Sequence, residues 1–399
     1  MMLRQLFFSA TMAAVLCSQT VAAQKPRWQD PQVNRVNTEK ARSSFFAYET
    51  QALAQKGQKE SSQRFLSMEG NWKFLFAKDH NLTPKGFYMP DYDDSLWEDF
   101  PVPGLFEMNG HGDKIYKNVG YAWATQFANN PPLVEEKDNY TGSYRRTFTI
   151  PADWKGDRIF VHVGSATSNL TLWVNGKEVG YSEDSKLEAE FDITKYVTPG
   201  QKSVVAMQVM RWCDGSYGED QDFWRFTGIA REVYMYARPA AHLQDLHVTA
   251  GLTNNYTDGT LSVKVNAVQA SGKTLTLALT DADGRQVWQS ETKLNGKGEQ
   301  IVNTQVKAPK LWSAETPYLY TLMATLSDKG GTIEAIPQKV GFRSVEHKGN
   351  QILVNGKPVL FKGADRHEID PDGGYVMSVE RMIGDIAMLK KFNFNAVRT

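Results

Sequence analysis

Between residues 61 and 239 the chain repeats one pattern: short stretches in which apolar and polar residues alternate, separated by turn residues. Clear examples are residues 143–150 and 158–163. Alternation with a period of two places side chains on the two faces of a strand in turn, so each stretch predicts a strand with one buried face. Asn175-Gly176 separates two such stretches, and both residues tolerate positive φ, which is typical of a two-residue hairpin. Many short strands at this spacing predict an all-β sandwich.

A second β module is expected at residues 240–343. Apolar residues alternate cleanly at 261–265 and at 274–279. Strands of this kind over about 100 residues suit an immunoglobulin-like sandwich.

The hydrophobic pattern changes at about residue 344. The apolar run 358–363 predicts a buried strand, residues 378–392 predict a helix capped by Ser378, and residues 394–398 predict a second strand. Strand, helix and strand form a βαβ unit with a parallel pair. Because a (β/α)₈ barrel takes about 250 residues and only roughly 50 are present here, we expect the chain to end inside its third domain.

The N-terminus has the features of a secretory signal peptide. Arg4 precedes an apolar stretch at residues 6–16, and small residues lead to an expected cleavage after Ala23, so that residues 1–23 are removed. This predicts export to the periplasm or outside the cell. A lipoprotein attached at Cys17 and a buried N-terminal helix are the alternatives. Residues 24–60 are predicted to form a polar, extended or partly helical arm.

Composition excludes some classes of protein. Lysine plus arginine and aspartate plus glutamate each total 45, so the formal net charge is zero, and a nucleic-acid binder is not expected. No second apolar segment approaches the roughly 20 residues that span a bilayer, so no transmembrane segment is expected. After cleavage only Cys213 remains, and it is expected to be a buried apolar residue and not a nucleophile.

Several segments together resemble the N-terminal part of a glycoside hydrolase family 2 β-galactosidase. The resemblance covers nearly all of residues 26–399, and its most specific piece is Glu219-Asp220-Gln221-Asp222-Phe223-Trp224. The other segments are KNVGY at 117–121, NPP at 130–132, LWSAETPYLY at 311–320, VGFR at 340–343, NGKPVLFKGADRHE at 355–368 and NAVR at 395–398. The resemblance implies a jelly-roll sandwich at 61–239, an immunoglobulin-like sandwich at 240–343 and, at 344–399, the start of a (β/α)₈ TIM barrel.

The resemblance implies a galactose site to which four residues of this chain contribute. Asn118 resembles an asparagine that reaches from the jelly roll into the site, and Asp222 resembles an aspartate that binds a galactose hydroxyl and a sodium ion. An amide can donate and accept hydrogen bonds, and a carboxylate accepts several, which suits sugar hydroxyls. The alternatives are a turn asparagine and an acid paired with Arg225; Glu219 and Asp220 are expected to be structural.

The other two residues lie at the ends of the predicted barrel strands, where active sites of this fold are built. His367 resembles a histidine that hydrogen-bonds galactose, and Arg398 resembles an arginine that keeps the nucleophilic carboxylate ionised. The alternative for Arg398 is an ion pair at the barrel rim. Asp365 departs from the family, in which the best-known members carry asparagine, and little effect is expected.

The resemblance places the catalytic pair outside this chain. A retaining glycosidase needs two carboxyl groups about 5–5.5 Å apart. In the family both are glutamates on later barrel strands, so they and the ligands of the catalytic magnesium are expected beyond Thr399. Glu368 and Asp370 lie too close together on one loop to oppose each other. We therefore expect the 399-residue chain alone to be inactive, and the full-length enzyme to bind magnesium and sodium and to form a homo-oligomer.

Other classes of protein stay open at this point. A non-enzymatic carbohydrate-binding module, a structural sandwich of the cell envelope and an inactive remnant are alternatives to the enzyme. The first would not need the βαβ pattern after residue 344, and the second would need neither the Asp222 motif nor a histidine at the end of a barrel strand. Within the enzymes, β-glucuronidase and β-mannosidase share the later motifs.

Overall fold

The computed structural model describes residues 25–296 and 298–399, so the signal peptide predicted for residues 1–23 lies outside the described residues. The first domain is an all-β sandwich with one short helix, α1 (Gln51–Lys56), before it. Its strands are β1 (Arg35–Val36), β2 (Phe65–Ser67), β3 (Gly70–Ala77), β4 (Glu98–Val102), β5 (Gly104–Leu105), β6 (Ile115–Lys117), β7 (Thr141–Thr149), β8 (Arg158–Val163), β9 (Asn169–Val174), β10 (Lys177–Ser182), β11 (Ala189–Asp192), β12 (Lys202–Met210), β13 (Phe223–Arg225), β14 (Gly228–Ile229) and β15 (Val233–Arg238).

The sandwich has the jelly-roll arrangement implied by the resemblance. A seven-stranded sheet in the order β1-β10-β9-β12-β7-β3-β4 and a four-stranded sheet in the order β11-β8-β15-β2 share one apolar core, while β6 with β13 and β5 with β14 form two short separate ladders. The core contains large, fully buried aromatic side chains, among them Trp72, Phe74 and Tyr144. The predicted hairpin is confirmed: Asn175 and Gly176 have φ of 50° and 79° between β9 and β10.

The N-terminal arm runs over both sandwiches. Its strand β1 extends the large sheet through the pairing of Arg35 with Ser182. Further on, Tyr48 and Ala335 exchange two backbone hydrogen bonds of 2.9 and 2.8 Å, which attach the arm to the second sandwich. The described part of the arm is thus mostly extended, with the α-helix α1 and short 3-10 turns within it.

The second domain is the predicted immunoglobulin-like sandwich. Its strands are β16 (His242–Thr253), β17 (Asp258–Val268), β18 (Thr274–Thr280), β19 (Gln286–Lys293), β20 (Gln300–Val306), β21 (Tyr320–Asp328) and β22 (Gly331–Val340). They form two sheets, β16-β17-β20 and β19-β18-β21-β22. Leu275, Leu277 and Leu279 alternate along β18 and are buried between the sheets, as the period of two predicts.

A buried ion pair joins the two sandwiches. Arg238, the last residue of β15, donates from Nη2 to both carboxylate oxygens of Glu334 on β22, at 2.7 and 2.8 Å. The side chains of Arg238 and Glu334 are 4% and 0% exposed. Glu334 also accepts the backbone N–H of Leu243 at 2.6 Å, so the charge is fully paired and fixes the junction between the domains.

The third domain contains a strand–helix–strand unit with a parallel strand pair, as at the start of a (β/α)₈ barrel. It contains the sheet of β23 (Val345–Lys348), β24 (Gln351–Val354) and β25 (Lys357–Pro358), followed by β26 (Gly363–Asp365), α2 (Val379–Lys391) and β27 (Ala396–Arg398). Strands β26 and β27 are parallel neighbours, with Asp365 opposite Arg398. The Oγ of Ser378 accepts the N–H of Arg381 at 3.2 Å, which confirms the predicted cap.

The prediction of a buried strand at residues 358–363 is wrong. Only Lys357–Pro358 and Gly363–Asp365 are strands, and Leu360 and Phe361 between them are 78% and 55% exposed. In the part of the chain that the structure describes, α2 likewise has no buried residue. The apolar run has only one parallel neighbour strand to pack with, so its side chains stay in contact with solvent. Among the described residues, none of the helices is long and apolar enough to cross a membrane.

Candidate functional site

The ladder of β6 and β13 brings two of the four predicted site residues together. The strands are antiparallel, with Lys117 opposite Phe223. Asn118 follows Lys117 and Asp222 precedes Phe223, so these two residues meet at the same end of the ladder. Both are exposed. Asp222 has a φ of 52°, a left-handed conformation that aspartate tolerates better than most residues do.

The buried side chain of Arg225 anchors the loop that precedes Asp222. It is completely buried, and Nη1 donates to Glu219 at 3.0 Å and to Asp220 at 2.7 Å. Nη2 donates to the carbonyl of Arg211 and, at 3.1 Å, to the Oγ of Ser216. Burial opposes the charge, but Asp220 and Glu219 raise the pKa of Arg225 above its usual value. Glu219 and Asp220 therefore have the structural role expected of them.

His367 comes to this ladder from the third domain. It lies two residues beyond the end of β26, and its ring centroid is 4.3 Å from that of Phe223. The histidine from the barrel thus packs on the residue that follows Asp222 in the jelly roll.

Tyr375 fastens the loop after β26 to the jelly roll. Its ring stacks on Phe223 with centroids 5.3 Å apart, and its hydroxyl donates to the carbonyl of Trp224. The Nζ of Lys186 lies 4.0 Å from the centroid of the same ring, a cation–π contact. Burial raises the pKa of Tyr375, so the hydroxyl stays protonated and remains a donor.

Asn118, Asp222 and His367 share a further property. Within the described part of the chain, none of the three side chains makes a hydrogen bond or an ion pair. All three are exposed. Their donor and acceptor groups are therefore available to a polar ligand, whereas the acids beside them are already occupied by Arg225.

Arg398 lies at the same end of the barrel strands but has a partner. Its backbone carbonyl accepts the N–H of Arg366 at 2.8 Å, one residue from His367. Its Nε contacts Asp365 at 3.1 Å, and the side chains of Arg398 and Asp365 are 81% and 70% exposed. The rim ion pair is thus formed, and Asp365 supplies a full negative charge that an asparagine would lack.

Glu368 and Asp370 are engaged in local contacts. Glu368 lies 3.7 Å from Arg231 and 3.8 Å from Arg366. Asp370 accepts the backbone N–H of Gly373, which is the main reason that its pKa is lowered, and it pairs with Arg381 at 3.0 Å. Both acids thus have basic or backbone partners on neighbouring segments.

A cavity of about 1280 Å³ separates the jelly roll from the strand–helix–strand unit. Ser165, Lys186 and Phe223 line it from the jelly roll, and His367, Tyr375 and Met382 line it from the third domain. It is larger than the roughly 300–1,000 Å³ of an ordinary ligand pocket, so there is space beside His367 for a sugar; Asn118 and Asp222 are not among its lining residues.

The sequence analysis missed a buried polar cluster around Cys213. The thiol is buried, as predicted, and burial raises its pKa to about 12. Ligand atoms of Glu183, Cys213 and Asp214 all lie within 4.8 Å of one another. Burial, followed by the effect of Asp214, raises the pKa of Glu183 to about 8. No local pattern indicates this cluster, because Glu183 and Cys213 come from different strand ends.

The raised pKa of Glu183 predicts a pH dependence of stability. The folded chain keeps the proton up to about pH 8, whereas the unfolded chain releases it near pH 4.5. The stabilisation is therefore fully present below pH 4.5 and is lost as the pH rises to 8, with a slope of up to about 1.4 kcal/mol per pH unit. In urea unfolding, the free energy of unfolding should fall less between pH 6 and pH 8 for Glu183→Gln than for the unmodified chain. Equal losses would contradict the assignment.

Comparison with known proteins gives a consistent result from residue 65 onward. The family described as glycosyl hydrolases family 2 matches in three successive parts: its sugar binding domain at residues 65–239, its middle domain at 241–343 and its TIM barrel domain at 345–399.

Curated relatives and solved structures agree with this match. The chain is 38% identical over 386 residues to a beta-galactosidase of Priestia megaterium, covering 94% of this chain and 37% of that protein. It is 37% identical to a beta-galactosidase of Vibrio vulnificus, with the same coverage. The solved structure of Ruminococcus gnavus beta-glucuronidase is 25% identical with a TM-score of 0.67, covering 84% of this chain and 53% of that one. The chain thus spans little more than a third of the length of these curated relatives.

Proposed function

The chain belongs to glycosyl hydrolase family 2, and on that premise we propose that it is part of a retaining β-galactosidase and supplies much of the galactose site. The identity to beta-galactosidases is 38%, against 25% to the beta-glucuronidase structure. The parallel pair β26–β27 with α2 between them argues against a binding module or an envelope sandwich, since neither needs the start of a barrel.

Three exposed, unpaired side chains from two domains carry the proposal: Asn118 and Asp222 lie at one end of the β6–β13 ladder, and His367 packs on Phe223, the residue after Asp222. The amide of Asn118 can donate to one sugar hydroxyl and accept from another, and the carboxylate of Asp222 can accept from two. His367 adds a hydrogen bond from the barrel side.

The charge of the site favours galactose over a uronic acid. Asp222 is an unpaired carboxylate, and a uronate would bring a second negative charge against it. The same unpaired carboxylate fits a sodium ion, because Asp222 offers free oxygens, the ligands that hard cations prefer. When bound, the ion would supply positive charge beside the sugar, with its other ligands from outside this set.

The chemistry of a retaining enzyme requires two carboxyl groups that the proposed site in this chain does not supply. One carboxylate attacks the anomeric carbon while a carboxylic acid protonates the leaving oxygen; water then gives a proton to that acid/base residue and displaces the first carboxylate from the anomeric carbon. We propose that both carboxyl groups, together with the magnesium ligands, come from later barrel strands. Arg398, which pairs with the exposed Asp365 in this chain, is proposed as the supporting residue: beside the nucleophile its guanidinium would lower the carboxylate pKa and keep it ionised.

Export and assembly are part of the same proposal. Support for export is the basic residue, apolar stretch and small residues of positions 1–23, and support for a homo-oligomer is the family resemblance.

A sugar titration tests the site directly. Ligand-observed saturation-transfer NMR with this chain should show binding of methyl β-galactoside in the millimolar range, and weaker or no binding of methyl β-glucuronide and methyl β-mannoside. Asp222→Asn should weaken galactoside binding about tenfold or more, since charged hydrogen bonds are lost. The matched control Asp283→Asn removes an acid that is 57% exposed on the second sandwich and should change nothing. Equal binding by both variants, or a preference for the glucuronide, would refute the galactose site.

A further inference from the structure

Lys186 contacts both halves of the proposed galactose site. It lies in the loop between β10 and β11, at the wall of the cavity between the jelly roll and the third domain. Its Nζ is 3.5 Å from the carboxylate of Asp220, in the loop that leads to Asp222. The same Nζ is 4.0 Å from the ring centroid of Tyr375, in the barrel loop that contains His367. One ammonium group thus connects the two loops that carry the site.

The loop that leads to Asp222 depends on such contacts. Asp220 and Asp222 have φ of 57° and 52°, a left-handed conformation that residues other than glycine keep only where their surroundings hold them. Arg225 donates to Oδ2 of Asp220 at 2.7 Å, and Lys186 lies 3.5 Å from Oδ1. Each oxygen of Asp220 therefore faces one cation, and the loss of Lys186 would leave one side of this loop without its partner.

On the barrel side, Lys186 acts on a pair of stacked rings. Its Nζ is 4.0 Å from the ring centroid of Tyr375 and 5.9 Å from that of Phe223. An ammonium group is attracted to the negative face of an aromatic ring. Tyr375 stacks on Phe223, and His367 packs on Phe223 in turn. The position of the ammonium is thereby coupled to that of the histidine through two rings.

The backbone of Lys186 is fixed. Its carbonyl accepts a hydrogen bond from Nη1 of Arg231 at 2.8 Å. The preceding Ser185 is 2% exposed, and its Oγ donates to the carbonyl of Ser168 at 3.2 Å. Burial lowers the pKa of Lys186, and the charge of Asp220 counteracts this. The ammonium therefore projects from a rigid base towards both loops.

We propose that Lys186 is a positioning residue of the galactose site, whose ammonium keeps Asp222 and His367 in register across the boundary between the jelly roll and the barrel. The proposal rests on the proposed function and deepens it. Lys186 acts through Asp220 and Tyr375 and not through a contact with the sugar. Both of its contacts require a positive charge, so arginine can replace it, whereas a neutral side chain of similar length cannot.

The affinity for a simple galactoside gives the first test. Methyl β-galactoside is titrated by saturation-transfer NMR into the unmodified chain, Lys186→Met and Lys186→Arg. We expect Lys186→Met to weaken binding about three- to tenfold, and Lys186→Arg to stay within about twofold of the unmodified chain. The matched control Lys310→Met removes an exposed lysine with the same kind of contact, 4.8 Å from the ring centroid of Tyr318 on the second sandwich, and should leave the affinity unchanged.

The NMR signal of His367 gives the second test, without any sugar. Because this ring packs on Phe223, the chemical shift of its Cε1 proton depends on how the two rings are placed. The signal is identified by its loss in His367→Gln. We expect Lys186→Met to shift it, and Lys186→Arg and Lys310→Met to leave it in place.

The outcomes separate the two proposals. Unchanged galactoside binding by Lys186→Met, or equally weakened binding by Lys186→Arg, would overturn the positioning role alone. Weaker binding by Lys186→Met with an unmoved His367 signal would mean that the lysine contacts the sugar directly, which also overturns it. If the unmodified chain does not bind the galactoside, or if Asp222→Asn leaves binding unchanged, the galactose site fails and the positioning role fails with it.

The fold of each variant is verified by an unchanged far-UV circular dichroism spectrum and thermal midpoint. The Lys186 side chain is 45% exposed, so its replacement should leave the core intact. Lys186→Gln removes the same charge and takes the place of Lys186→Met if that variant does not fold.

Discussion

Replacing Arg225 by methionine should lower the free energy of unfolding by about 3–5 kcal/mol, because it leaves buried charge without a partner. The Asp220 side chain is 2% exposed, and its short contact to Arg225 is its main compensation; Lys186 lies farther away, at 3.5 Å. The same change frees the loop that precedes Asp222. We therefore expect Arg225→Met to lose methyl β-galactoside binding as well as stability, although Arg225 itself is too deeply buried to contact a sugar.

Urea unfolding and the sugar titration check the two effects separately. Arg285→Met is the matched control, since Arg285 pairs with Asp283 but is 76% exposed, and it should change stability by less than about 0.5 kcal/mol. The double variant Arg225→Met/Asp220→Asn removes the stranded charge, so it should recover part of the stability without recovering binding. A double variant that regains both would show that Arg225 stabilises the fold but does not position Asp222.

Local sequence patterns were sufficient for most of the strands. The alternating run 158–163 is β8 residue for residue, and Asn175-Gly176 forms the expected turn. These features depend on side-chain alternation and on φ at single positions, which a sequence displays directly. The cap at Ser378 was recognisable for the same reason, because it concerns residues three positions apart.

Burial at residues 358–363 was not predictable in this way. Apolar composition shows that a segment can be buried, but whether it is depends on which elements cover it. Leu360 and Phe361 lie between β25 and β26 and remain largely exposed, although their sequence is typical of a central barrel strand. The pattern was right about a parallel strand and misplaced it by a few residues.

For the candidate site, too, the sequence suggested the residues but not the contacts between them. The resemblance pointed to Asn118, Asp222 and His367, but no sequence pattern shows that the first two share one end of a ladder or that His367 packs on Phe223. The contacts that assemble the site join distant parts of the chain: Tyr375 to Trp224, and Phe223 to His367. The partner of Arg398 was equally hidden, because Asp365 faces it only through the parallel register of β26 and β27.

Galactose release tests most directly whether this chain contributes the sugar site but not the catalytic carboxyl pair. The 399-residue chain and the polypeptide translated from the gene's complete reading frame are each incubated with p-nitrophenyl β-D-galactoside, and the product anomer is followed by NMR. We expect no enzymatic release by the chain alone. The complete product should release galactose first as the β-anomer, which a double displacement requires. Enzyme-like turnover by the 399-residue chain, a preference of the complete product for a β-glucuronide, or a frame that stops after Thr399 would contradict this division of the active site.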